Sequence, residues 1–355
     1  MTGVQTCALP IWFIHYFTEA LVHRDVNMSL IDILSEVNNH VARRSFSNER
    51  DLKQMPCFSH SLTMSVFFKK PIKGTEVSLP RGVSTSKTQK SDGAPHPDAT
   101  ENEENKHVLK TEVGDNKNVP KTERLIKKAF VFIIINEIFN TKKREGAQVD
   151  LTNILQVCKT FGFEEHVEKN LSRDGMEIIL EKIEEDDFGA YDALIVFISS
   201  YGEHNDVIGV CGQKISIDDF VKSMARNSTL NNSEKNKPKL IFFENSNYSM
   251  AQTDSGSAVP LPVHADVLVA HSNLLKHKTY HDSVFGSWFM HWLTTFLRDF
   301  GDKMSLTDIL TMVNDSVANV DVKGMNQVPC FSSSLRMALR FQRAVLSERA
   351  SCIIV

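Results

Sequence analysis

The residues able to do chemistry gather at one abrupt boundary. Leu240-Ile241-Phe242-Phe243 follows Lys237-Pro238-Lys239 and stops at Glu244-Asn245-Ser246-Asn247-Tyr248. Such a continuous apolar run reads as a buried parallel strand, and the polar loop after it is where α/β folds place their reacting groups. Ser246 carries a hydroxyl there, which becomes a nucleophile only if a base takes its proton. His204 is the candidate for that base, against the plainer reading of a surface histidine. Of the thirteen histidines, His264, His271, His277 and His281 among them, one pair, His277 and His281, stands at HxxxH spacing, and solvent-exposed or hydrogen-bonded side chains are the plainer reading. The six cysteines, Cys7, Cys57, Cys158, Cys211, Cys330 and Cys352, show no C-x-x-C spacing, and the one close Cys/His pair, Cys57 and His60, has no second pair beside it in the sequence. No metal, cofactor or disulfide framework is expected, and a reducing cytoplasm is the simplest compartment. Cys57, Cys158, Cys211 and Cys330 read as core thiols.

The last four residues, Cys352-Ile353-Ile354-Val355, have the C-a-a-X form, so Cys352 is a lipidation candidate. Val is not a usual final residue, and Arg340, Arg343 and Arg349 make only a thin basic patch, so an apolar tail is the alternative. Membrane contact is expected only if Cys352 is prenylated, because no run of eighteen apolar residues exists. A net charge of -4 gives no electrostatic reason to bind nucleic acid.

The elements that must position Ser246 alternate between strands and helices. Phe130–Ile135, Ala193–Ile198 and Val267–Ala270 are apolar runs of strand length. Helical spacing joins Leu151, Ile154, Leu155, Cys158 and Phe161, then Met176, Ile179, Leu180 and Ile183, then Phe220, Val221 and Met224. Helices are also expected over Phe285–Leu297 and Ser305–Val317, with Ser305 as N-cap. Leu335, Met337, Leu339 and Phe341 alternate as a final half-buried edge strand. The pattern predicts an α/β, three-layer fold: a mostly parallel central sheet with helices on both faces.

The chain also repeats itself. Trp12-Phe13-Ile14-His15 matches Trp288-Phe289-Met290-His291, Met28–Leu34 matches Met304–Leu310, and Gln54–Phe58 matches Gln327–Phe331. The order is kept, so the front of the chain is the last part of a second, truncated copy. Residues 71–125 hold five prolines and no aromatic side chain, a composition that predicts a disordered linker. No Met lies between Met64 and Met176, which argues for one reading frame; a fusion of neighbouring duplicates is the alternative. Residues 1–11 resemble the translated end of a sequencing adapter and are set aside from the fold, so a natural start would lie upstream of Trp12.

Several separated segments resemble the caspase family, in the right order, over about Lys127 to Phe341. Arg144-Glu145-Gly146 with Val149-Asp150 looks like its Arg-x-Gly-Thr-x-x-Asp loop, and Ser200-Tyr201-Gly202-Glu203 like its Ser-His-Gly-Glu. Thr253-Asp254-Ser255-Gly256 looks like the loop cut between large and small subunits, and Gly286-Ser287-Trp288-Phe289 like the start of the small-subunit helix. The resemblance implies a truncated small-subunit-like segment at 12–70, a large-subunit-like region at 126–247, an intersubunit loop at 248–263, a small-subunit-like region at 264–345 and a tail at 346–355.

The same resemblance implies which positions have changed. Ser246 stands at the nucleophilic Cys, Tyr201 at the His base, and Gly202 keeps the oxyanion position. A hydroxyl is far less acidic than a thiol, and a phenol is a poor proton acceptor at neutral pH. In the pocket that grips a substrate Asp, Arg144 keeps one Arg, His281, beside Tyr280, occupies the other, and Glu244 replaces a Gln. Glu244 would repel an incoming carboxylate and could pair with Arg144 instead; the alternative is that both are solvated loop charges. Asp254 and Asp115, which follows Glu112, are processing candidates for an active caspase.

The expectation is a caspase-like protein without a working Cys/His dyad in its complete domain, hence a non-catalytic regulator or dimerisation partner of active caspases in apoptotic signalling. In the family the last strand pairs across a two-fold, so the implied partners are active caspases or the chain's own other copy. The alternatives are an Asp-directed endopeptidase whose active copy lies upstream, a weak Ser246-dependent hydrolase, or a drifting duplicate.

Overall fold

The computed structural model describes residues 9–23, 28–43, 56–67, 123–140, 142–203, 205–232, 235–247, 264–273, 279, 281–320 and 327–344. One sheet of nine strands organises them. In chain order these are β1 (Phe58–His60), β2 (Ala129–Ile135), β3 (Glu164–Lys169), β4 (Ala193–Glu203), β5 (Asp206–Ile208), β6 (Lys214–Ser216), β7 (Lys239–Asn247), β8 (Val267–His271) and β9 (Cys330–Ser333). They run across the sheet as β1-β9-β8-β7-β4-β2-β3, with the β5-β6 hairpin continuing from β4. The five strands from β8 to β3 are parallel, and β1 and β9 are antiparallel to their neighbours.

The continuous apolar runs are explained by burial on both faces. In β2, Val131, Ile133 and Ile135 enter one core cluster and Phe132 and Ile134 the other. Leu240 and Phe242 against Ile241 and Phe243 divide β7 in the same way. Successive strand side chains point to opposite faces, so a strand covered on both must be apolar at every position. Helices α3 (Ala147–Phe161), α6 (Trp288–Phe300) and α7 (Leu306–Ala318) supply the first layer, through Ile154, Leu293 and Ile309 among others. Helices α4 (Arg173–Glu185) and α5 (Ile217–Arg226) supply the second, through Ile179 and Phe220. The result is the expected three-layer α/β fold.

The front of the chain forms α1 (Leu9–His23) and α2 (Leu30–Ala42), which share a small core of Tyr16, Ala20, Ile33, Val37 and Val41. Ser29 caps α2 by accepting from Asp32 N at 3.2 Å, and Ser305 caps α7 by accepting from Asp308 N at the same distance. Both caps lie within the matched Met28–Leu34 and Met304–Leu310 segments. Helix α1 begins at Leu9, inside the stretch set aside on sequence.

Three expectations are corrected. The final strand expected over 335–341 is shortened to Ala338–Phe341, which pairs in parallel with Glu123–Ile126 outside the main sheet, and the main sheet's own last strand is Cys330–Ser333. All four residues of β9 are buried, whereas the alternation of Leu335, Leu339 and Phe341 marks separate insertions into the core across a bend. Of the strand Glu123–Ile126, Glu123–Leu125 also lie within the expected linker, of which residues 71–122 fall outside the described residues. The helix expected from Phe285 starts at Trp288, because Gly286-Ser287 first pairs with His281-Asp282.

Candidate functional site

The parallel pairing of β4 and β7 sets the site. Their register puts Ser246 opposite Tyr201 and Asn247 opposite Gly202. Two positions forty-five residues apart in sequence thereby become cross-strand neighbours at the carboxyl ends of adjacent parallel strands. The Tyr201 ring packs on Phe139, with centroids 4.6 Å apart. Gly202 is enclosed: a Cβ there would lie 2.7 Å from Phe243 Cζ, 2.8 Å from Asn245 Cβ and 2.9 Å from Asp206 O. Packing alone therefore requires glycine at 202, whether or not its N–H meets an oxyanion.

Arg144 is buried, and its guanidinium is engaged by the protein itself. Nε donates to Asn136 O at 3.0 Å and Nη2 to Ser199 Oγ at 2.5 Å, while Nη1 makes no hydrogen bond and lies at ion-pair distance, 3.7 Å, from Asp150 Oδ2. Ser199 Oγ in turn donates to Asp150 Oδ2 at 2.7 Å, and Ser287 N donates to Asp150 Oδ1 at 2.8 Å. Burial pushes the Asp150 carboxyl upward, and Arg144 with these hydrogen bonds opposes that shift. Gly146 turns the chain between Arg144 and α3 at φ 78°, and a Cβ on it would lie 2.8 Å from Asp282 O and 2.9 Å from Gly286 Cα. The Arg-x-Gly-x-x-x-Asp spacing thus ties α3 to the 281–287 hairpin.

Glu244 occupies the same pocket, fully buried, and neither carboxylate oxygen has a hydrogen-bond partner. Its nearest ion-pairing group is His281 Nε2 at 3.8 Å. Burial raises the Glu244 pKa to about 8, with Asp150 adding to the rise and Arg144 opposing it. Burial, then the Arg144 charge, lowers His281 to about 3. Both shifts favour the neutral forms, so the contact at neutral pH joins a carboxylic acid to a neutral imidazole. The expected Glu244–Arg144 ion pair is replaced by Arg144–Asp150, because Asp150 reaches the guanidinium with two further hydrogen bonds to hold it. The alternative of solvated loop charges is also overturned, since Arg144 is 2% exposed and Glu244 0%.

The pocket and the strand-end pair are brought together on β4 and β7, where Glu244 and Ser199 are themselves in register. Tyr280, Asp254, Asp115, Cys352 and His204 lie outside the described residues. Cys158 and Cys330 are buried, and burial raises both thiols to about 12. Cys211 is exposed, contrary to expectation, in the turn between β5 and β6. Among the described residues no group of three or more His, Cys, Asp or Glu is placed to hold a metal, and no helix is long and apolar enough to cross a membrane. Sequence reasoning missed Ser199, Asn136 and Ser287; only Asp150 carried a signal, through its spacing from Arg144 and Gly146.

Chemically the site offers a hydroxyl and a phenol at neighbouring strand positions, beside a pocket whose arginine is engaged and whose extra carboxyl is held protonated. It has no thiol and no imidazole at the strand-end pair.

A family model for the caspase domain, of the peptidase C14 class, matches residues 128–340. Among curated proteins, Caspase-1 of Spodoptera frugiperda is 29% identical over 233 residues, covering 58% of this chain and 74% of its own length. Caspase drICE of Drosophila melanogaster is 27% identical over 227 residues, covering 58% and 66%. Caspase-3 of Felis catus is 27% identical over 234 residues, covering 59% and 82%.

Proposed function

The chain belongs to the caspase family, and on that premise we propose that its complete domain works without catalysis, as a regulator or dimerisation partner of active caspases in apoptotic signalling. One observation carries the reading: the positions matching the family's nucleophile and base, Ser246 and Tyr201, are cross-strand neighbours yet hold a hydroxyl and a phenol. A phenol packed on Phe139 is a poor base for a serine hydroxyl. The engaged Arg144 and the buried Glu244 point the same way, because a substrate carboxylate would have to compete with Asn136, Ser199 and Asp150 for the guanidinium. Buried unpaired thiols at Cys158 and Cys330 suit a cytoplasmic setting.

The test is peptide hydrolysis by the purified full chain, with and without an active caspase. The chain alone is expected to give no turnover of Asp-containing peptides, and to change the active caspase's rate when added in excess. Turnover by the chain alone that disappears in Ser246→Ala would overturn the reading.

A further inference from the structure

Strand β1 belongs to the front copy and β9 to the complete one, and they pair antiparallel with Phe58 opposite Ser333, Ser59 opposite Ser332 and His60 opposite Phe331. The repeat match of Gln54–Phe58 with Gln327–Phe331, carried onward, makes Ser59 equivalent to Ser332 and His60 equivalent to Ser333. Exchanging the copies therefore turns the Phe58–Ser333 pairing into His60–Phe331 and the reverse, and Ser59 meets its own equivalent at the centre. That is the signature of an isologous contact.

A second relation shows the same symmetry away from the strands. Asn38 Nδ2 donates to Leu335 O at 3.5 Å, and Asn314 Nδ2 donates to Leu62 O at 3.2 Å. Asn38 and Asn314 are equivalent within the matched α2 and α7 helices, and Leu62 and Leu335 within the matched strand segments. Both asparagines are buried. Ile31 joins the main core cluster of the complete copy, Phe58 packs against it, and the His60 ring meets Phe331 edge-on with centroids 4.1 Å apart.

We infer that residues 28–43 and 56–67 act as a second protomer built into the chain, occupying in cis the sheet edge at β9 that another caspase-like protein would use. Because both surfaces belong to one polypeptide, the contact forms at an effective concentration on the order of millimolar. A separate protein at micromolar concentration meets that edge already filled and pairs with β9 only by displacing these residues. The proposed regulatory role therefore works through their release or through another surface. The inference rests on the caspase reading only for the kind of competitor, and its test does not involve turnover.

The experiment is disulfide trapping in the full chain carrying Ser59→Cys and Ser332→Cys, with each single variant as control. Directly opposed residues on antiparallel strands have Cα atoms about 4.5–5.5 Å apart, within disulfide reach. An equal mixture of unlabelled and 15N-labelled chains is oxidised and the linked peptides are weighed. Links of 59 to 332 only within one label are expected; mixed-label links, or no link in the folded protein, overturn the inference. Should the double variant fail to fold, hydrogen exchange on the unmodified chain decides. Protection of the Phe331–Ser333 amides unchanged over a 100-fold dilution supports cis pairing, and protection that is absent or falls with dilution overturns it.

Discussion

The Glu244 carboxyl lies 3.8 Å from His281 Nε2, and burial holds both side chains in their neutral forms. An unfolded chain would release the Glu244 proton near 4.5, whereas the folded chain keeps it to about pH 8. Between those values the folded state binds the extra proton, so this group's contribution to stability falls as pH rises. The histidines act in the opposite sense. His60 and His271 titrate near 4 and His281 near 3 when folded, against 6.5 when unfolded. The unfolded state binds more protons below 6.5, and stability falls as pH drops from there toward the folded values.

These four groups together place maximal stability near pH 6.5, with Glu244 producing the descent above it. From pH 6.5 to 8 one held proton corresponds to about 2 kcal/mol. Glu244→Gln is expected to remove that descent and to steepen the rise from pH 5 to 6.5, where the held proton offsets part of the histidine effect. Urea unfolding of both proteins at pH 5, 6.5 and 8 measures it; parallel losses between 6.5 and 8 would mean that Glu244 does not hold the proton.

Restoring the reacting pair alone is expected to be insufficient. Tyr201→His with Ser246→Cys supplies an imidazole and a thiol at neighbouring strand positions. The pocket beside them still contains Glu244 and His281, and Arg144 still donates to Asn136 and Ser199. The double variant should leave hydrolysis of Asp-containing peptides at background. Adding Glu244→Gln and His281→Arg should raise it by about tenfold or more, close to 1.4 kcal/mol of transition-state stabilisation. Full activity in the double variant would show that the pocket is not an obstacle.

How far the sequence reveals this arrangement depends on the kind of contact. Strands β2, β4 and β7 are legible because burial on two faces demands apolar side chains at every step. Strand β3, Glu-Glu-His-Val-Glu-Lys, is not, since it is the sheet's outer edge and carries polar, partly exposed side chains. The Ser246–Tyr201 adjacency is reachable through motif matching, because parallel neighbours end together. The Arg144–Ser199–Asp150–Ser287 network is not, because its members come from four segments and short polar side chains carry no periodicity. Glu244 misleads for a related reason: charged side chains are almost never fully buried without a partner, so a solvated or ion-paired carboxylate is the natural expectation. What defeats it is the site's geometry, in which Asp150 already engages the arginine.

Gly202 gives a prediction that separates packing from catalysis. Gly202→Ala places a methyl within 3 Å of Phe243 Cζ, Asn245 Cβ and the Asp206 carbonyl. The backbone oxygen cannot move away without breaking the pairing of Gly202 with Val207. Destabilisation of about 2 kcal/mol or more is expected from overpacking. Thermal or urea unfolding measures it, and a change under 0.5 kcal/mol would show that β5 can yield.

The two asparagines of the intrachain contact should behave as one unit. Asn38→Ala leaves the Leu335 carbonyl without its donor, and Asn314→Ala leaves the Leu62 carbonyl without its own. Removing one partner of a buried hydrogen bond costs about 1–3 kcal/mol, the range expected for each single variant. Both bonds span the same two copies around the pairing of Ser59 with Ser332. Once the first substitution loosens residues 28–43 and 56–67, the second has less to lose. The double variant should therefore cost less than the sum of the singles, by about 0.5–2 kcal/mol. Urea unfolding of the full chain, with the two singles and the double measured together, gives the coupling directly. Strict additivity would mean that the bonds report two independent local sites, whereas sub-additivity ties α2 and α7 to a single interface that opens as a whole.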